Sequence, residues 1–236
     1  MQMKTNWTKV AGAAVAAISA LTAGSTAMAQ SGLVYDNADL PSVKSGQNYS
    51  PNEGTQFGNE IALNPADQYT LTSFSLEYNT SGTVGNALVT FYANTGALFN
   101  GVANSQEPST VLGTLNTGAL PATTSQGSTF TITPSTTIVL PAQFTWTVSF
   151  TGGTATTVGL DTYGPPTIGK AFNDIWQNTG SGWQLLTTVN GVTTATFGAQ
   201  INAITTAVTP EPGTLALGFM GVLALGGMVA SKRKNA

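Results

Sequence analysis

Large apolar residues alternate with small hydroxyls through Phe144-Thr145-Trp146-Thr147-Val148-Ser149-Phe150. In an extended chain successive side chains point to opposite faces. The spacing therefore predicts a strand with Phe144, Trp146, Val148 and Phe150 turned to a core and its hydroxyls turned to water. The same period recurs more weakly in residues 71–78, with Phe74, Leu76 and Tyr78 on one face, and in residues 88–92, 130–133, 138–140 and 196–204. Turn-forming runs separate them, among them Asn79-Thr80-Ser81-Gly82, Asn94-Thr95-Gly96, Gly152-Gly153 and Asn190-Gly191. No stretch between residues 30 and 209 sustains a helical period. Many short strands at this spacing predict an all-β body, a single antiparallel β-sandwich of jelly-roll-like type.

The two ends have a different pattern. Residues 1–29 run from Lys4 and Lys9 through an uncharged, alanine-rich stretch to Ala27-Met28-Ala29. This is the layout of a secretory signal peptide, with the small Ala27 and Ala29 where a signal peptidase reads. At the other end Pro210-Glu211-Pro212 precedes residues 213–230, which carry no charge, and Ser231-Lys232-Arg233-Lys234 follows. As a helix, that run would extend about 27 Å, enough for one transmembrane helix. Lys232, Arg233 and Lys234 should stay cytoplasmic, leaving the Pro-Glu-Pro on the outer face. The predicted organisation is a signal peptide (1–29), a β-sandwich body (30–209) and a membrane-spanning tail (210–236).

Composition narrows the chemistry. The body holds nine carboxylates against only Lys44 and Lys170, a net charge of −7. Such a surface repels phosphate backbones, so nucleic acid is excluded as a partner. The chain has no cysteine and no histidine. Disulfides, Ser-His and Cys-His nucleophile pairs and the usual zinc ligands are absent with them. No cofactor or metal site is expected. Asp36, Asn37 and Asp39 could offer oxygen to calcium, but without EF-hand spacing they read better as turn formers. Serine and threonine supply 48 of the 180 body residues, giving strand surfaces that are polar yet uncharged.

With Pro210, Glu211 and Pro212 ahead of one apolar span and a short basic finish, the tail closely resembles the PEP-CTERM family of Gram-negative exported proteins. The family often has valine before the first proline, where this chain has Thr209. The resemblance implies recognition by an exosortase, a membrane protease that removes the helix during delivery to the cell surface or extracellular polymer. Membrane residence would then be transient. The body more loosely resembles a recurrent domain of PEP-CTERM proteins, through Tyr35-Asp36-Asn37, Phe144-Thr145-Trp146-Thr147-Val148, Tyr163-Gly164-Pro165-Pro166, Phe172-Asn173-Asp174-Ile175-Trp176 and Trp183. That likeness carries no activity with it.

Three functional readings follow. The leading one is a non-enzymatic surface or matrix protein. The second is a lectin-like module for carbohydrate or exopolysaccharide, using Asp161, Tyr163, Asp174, Trp176 and Trp183, since rings stack on sugars while carboxylates bind hydroxyls. Against it, the tryptophans would also suit a sandwich core. The third is a glycan hydrolase, which would need two carboxylates across a cleft; no pair is nominated by the spacing.

Overall fold

The computed structural model describes residues 29–38, 48–99, 106–123, 127–172, 174–189, 192–193 and 196–207. The stretch expected as a signal peptide up to residue 28, Asp39, Asn190-Gly191 and the whole expected sorting tail lie outside the described residues. Ala29 is the first described residue and is exposed. Residues 29–207 form one compact unit.

In chain order the strands are β1 (Gln30–Asp36), β2 (Asn48–Tyr49), β3 (Gln56–Ala62), β4 (Asp67–Thr80), β5 (Val84–Ala93), β6 (Thr110–Asn116), β7 (Ser128–Ile132), β8 (Val139–Leu140) and β9 (Gln143–Gly153). Then come β10 (Val158–Tyr163), β11 (Lys170–Ala171), β12 (Ile175–Asn178), β13 (Trp183–Leu186), β14 (Thr188–Val189), β15 (Val192–Thr193), β16 (Thr196–Phe197) and β17 (Ala199–Ala207). The described residues contain no α-helix. None of their segments is a helix long and apolar enough to cross a membrane.

The body is all-β and built on two antiparallel sheets. An 8-stranded sheet runs β1-β17-β4-β10-β16, with β7 and β8 along the free edge of β4 and β2 on β10. A 7-stranded sheet runs β13-β12-β3-β9-β5-β6, with β11 on β3. Rings from opposite sheets touch: Phe74 of β4 lies 5.3 Å from Phe91 of β5 and 5.0 Å from Trp146 of β9. Phe197 of β16 packs edge-on against Phe57 of β3 at 5.6 Å. The two inner faces therefore share one apolar core, a sandwich-like arrangement.

Period-two expectations hold for the inner face. Phe144, Trp146, Val148 and Phe150 are all buried, as are Phe74, Leu76 and Tyr78. The outer face of β9 differs from its expected exposure: Thr145 and Thr147 are fully buried. The reason lies at both ends of the sheet. Trp183 on β13 meets Tyr92 on β5 with ring centroids 5.3 Å apart, though three strands lie between them in the sheet. Tyr92 pairs with Thr145, so its ring shares the outward face with that hydroxyl, and Trp183 reaches it across that face. Threonine tolerates this because each hydroxyl finds an acceptor, Asn94 Oδ1 for Thr145 at 2.8 Å and the Thr90 carbonyl for Thr147 at 3.4 Å.

The stretch expected as one strand over 196–204 is broken into β16 and β17 by Gly198. Its amide donates to the Asp161 carbonyl, while its own carbonyl accepts from Glu77 N, both at 2.9 Å. A Cβ at this position would stand 2.6 Å from the Tyr163 ring and 3.0 Å from Glu77 Cβ. Gly198→Ala should therefore lower stability by about 1–3 kcal/mol by overpacking. Urea denaturation checks this, and an unchanged midpoint would mean that the Tyr163 ring moves aside freely.

Candidate functional site

The five residues expected to contact sugar do not form one patch. Asp161 and Tyr163 are buried on β10 in the 8-stranded sheet, where the Tyr163 hydroxyl donates to Glu77 Oε2. Asp174, Trp176 and Trp183 belong to the 7-stranded sheet, at and beside β12 and β13. Trp176 is fully buried, so neither of its faces is open to a ligand. Trp183 is half-buried and is the one ring of the set that remains partly exposed.

The structure assembles instead a closed polar cluster on the outer face of the 7-stranded sheet. Glu60 on β3 points outward between β11 and β12, buried to 1% exposure. Gln143 Nε2 donates to Glu60 Oε1. Burial pushes the Glu60 carboxyl above its ordinary range, and neighbouring Gln143, Asn94 and Trp176 pull it partly back as donors. Its Oε2 stops short of hydrogen-bond geometry with any group, as do Asn94 Nδ2, Trp176 Nε1 and Asp174 Oδ1. Asp174 enters the cluster just before β12. The Asn59 side chain fixes its backbone, donating from Nδ2 to the Asp174 carbonyl at 2.5 Å while accepting from Phe197 N at 2.6 Å. Burial first, and the charge of Glu60 second, push the Asp174 carboxyl up to about 7.

Two buried carboxyls within reach of each other's charge cannot both ionise cheaply, and Asp174 is the one raised to about 7. Over them lies a ring cluster: Trp176 meets Trp183 edge-on at 6.3 Å and Phe99 at 5.6 Å. Gln56 Nε2 donates to the Tyr92 hydroxyl at 2.7 Å and ties the roof to β3. Among the described residues both carboxyls are buried, Glu60 to 1% and Asp174 to 8% exposure.

An open cleft lies elsewhere, at one end of the sheets. It encloses about 320 Å³ and is lined by Ser50, Asn52, Glu53, Thr151, Thr156 and Thr157 with their neighbours. Glu53 Oε1 is occupied by Gly152 N at 2.6 Å.

The Asx reading of Asp36 is met directly: its Oδ1 accepts from Ala38 N at 3.1 Å, and from Gln200 Nε2 at 3.1 Å. Asn37 is buried and donates to Thr196 Oγ1 and, at 3.1 Å, to the Phe197 carbonyl. Among the described residues no three of His, Cys, Asp or Glu gather as metal ligands.

Sequence reasoning missed Glu60. Its stretch, Gln56-Phe57-Gly58-Asn59-Glu60-Ile61-Ala62, mixes a glycine, two amides and a carboxylate with only two large apolar groups, Phe57 and Ile61. The usable signal was the lone acid between Asn59 and Ile61. No protein-family model, curated protein or solved structure matches the chain.

Proposed function

We propose that this chain is an exported protein, cleaved after Ala29 by signal peptidase and sorted by exosortase through residues 210–236. It is delivered to the cell surface or extracellular polymer and serves there in a non-enzymatic structural or interaction role. The observation that carries the reading is the ordered tail: Pro210-Glu211-Pro212, then an uncharged run to Ala230, then Lys232, Arg233 and Lys234. Two prolines keep the signature extended and out of the helix, open to a protease at the membrane face. The membrane helix is thus a temporary anchor, and the delivered molecule is the β body.

The body suits that role. The finer jelly-roll assignment belongs to this proposal: β3 to β4, β4 to β5, β6 to β7 and β8 to β9 each pass from one sheet to the other, and first strand β1 pairs with last strand β17. A non-enzymatic role is favoured by the sealed position of Glu60 and Asp174. A carbohydrate-binding role has only Trp183 left of its expected aromatic platform.

Intact-mass analysis of protein from cells and medium, in a host possessing exosortase, tests the sorting. Released protein should lack residues 1–29 and the segment 213–236. Pro210→Ala combined with Pro212→Ala should move most of the protein into the membrane fraction. Released protein that retains its complete tail would refute processing.

A further inference from the structure

Charge is distributed unevenly over this body. From Pro108 through Leu160, 53 consecutive residues include no Asp, Glu, Lys or Arg. That run supplies β6, β7, β8 and β9. Among the described residues β6 is bonded on one side only, to β5, and β7 and β8 likewise only to β4. They are free edges of the two sheets.

The edges meet on one flank. Gly113 of β6 lies against Ile138, the residue before β8, so closely that a Cβ on Gly113 would stand 2.6 Å from Ile138 Cγ1. Val111 on β6 and Val139 on β8 leave 54% and 41% of their surfaces exposed. Sheet edges are ordinarily guarded by lysine, proline, bulges or short length. Neither residues 110–116 nor residues 128–132 contain a charge or a proline. β6 keeps one guard, a register shift opposite Phe91 and Tyr92 that sets Leu112 out of step and leaves Gly113 to Asn116 as its regular stretch.

We propose that this flank is a self-association face, seating the same flank of a second copy about a two-fold axis with β6 against β6. The charge pattern selects that occupant. A two-fold interface sets each surface against its own copy, so every charge near the axis meets a like charge. All nine acids of the body lie outside residues 108–160. Copies of an acidic body repel one another least where the surface is neutral. Glu107 lies three residues before β6, Asp67 lies two residues before the Tyr69 that pairs with Leu140, and Glu77, opposite Thr129 of β7, is buried and accepts from the Tyr163 hydroxyl. The short regular stretch of β6 supplies directional hydrogen bonds, and Val111 and Val139 supply apolar burial.

The absence of cysteine makes the test clean. Single variants Val111→Cys, Thr114→Cys and Val139→Cys of the full-length protein, exported by its host, are oxidised and scored for covalent dimers. Leu33→Cys and Ile204→Cys serve as controls, since these residues are 37% and 38% exposed, on the edge strand β1 and its inner neighbour β17. The flank variants should cross-link to a second copy well above the controls. Adding Val139→Lys and Val111→Lys to Thr114→Cys should lower its cross-linking at least about tenfold, since charges would be buried against like charges. The circular dichroism spectrum, unchanged by these lysines, separates lost association from lost folding. Equal yields at flank and control positions, or cross-links to a different protein, would overturn the proposal. A mass of one chain at roughly 100 µM, far above the Kd of an ordinary specific dimer, would overturn it as well.

Discussion

Replacing Trp146 by alanine should remove on the order of 4 kcal/mol of folding stability, most of what a domain of this size has to lose. Trp146 is fully buried in the middle of β9. From the 7-stranded sheet it touches two rings of the other sheet, Phe74 at 5.0 Å and Phe197 at 6.3 Å. Deleting the indole leaves a cavity between the layers that rigid strands on either side cannot close. A control separates volume from polarity. Trp146 Nε1 is buried without an acceptor, so Trp146→Phe removes an unsatisfied donor along with part of the ring, and should cost only about 1–2 kcal/mol. Trp183→Ala, on the half-buried outer layer, should fall between wild type and Trp146→Ala. Urea unfolding followed by circular dichroism orders the three. A loss below about 1 kcal/mol for Trp146→Ala would mean that the layers do not depend on this contact.

Stability should fall as pH rises from about 4 to about 7, the reverse of ordinary acid denaturation. The Asp174 carboxyl is raised from 3.8 to about 7 in the folded protein. Between those values the folded state keeps a proton that the unfolded chain has released. Stability from this group is complete below the unfolded pKa and is lost as pH climbs through the folded one. Glu60 is raised by burial and acts in the same direction. After allowing for residual hydration, the loss should amount to about 2–3 kcal/mol, or a melting temperature lower by roughly 5–10 °C at pH 8 than at pH 5. Asp174→Asn carries the uncharged form at every pH and should flatten most of that slope; Glu60→Gln removes a smaller part, its own titration together with the charge it sets against Asp174. A wild-type melting temperature that stays level or rises over this range would show that the pair is hydrated and ionised.

The acid pair also shows where sequence reading stopped. Nine acids were visible in the body, and any two could have been partners. Glu60 and Asp174 are more than a hundred residues apart, joined only because β12 pairs with β3 and Asn59 holds the Asp174 carbonyl. Such a pairing has no local signature. The strands that were legible, such as β4 and β9, have one face lined by large apolar groups. The strands that were not, β3 and β10 among them, bury residues on both faces, so glycine, asparagine and acids interrupt the alternation. The dry hydroxyl face of β9 failed for a related reason: threonine has the same period under a roof of rings as it has in water.

By itself, the order of residues determined that this body is all-β, because a period of two is a property of neighbouring residues and needs no partner to be read. It determined the inward face of β9, and the proposed export and sorting rest on its local arrangements of charge, proline and apolar length. Only the tertiary structure decided which strands became neighbours, which carboxyls came within reach of each other's charge, and that Trp176 is buried instead of standing open to a ligand. Those outcomes depend on long-range pairing, where the gain comes from burying surfaces that are distant in sequence. The same physics placed a charge-free run on the open edges of both sheets.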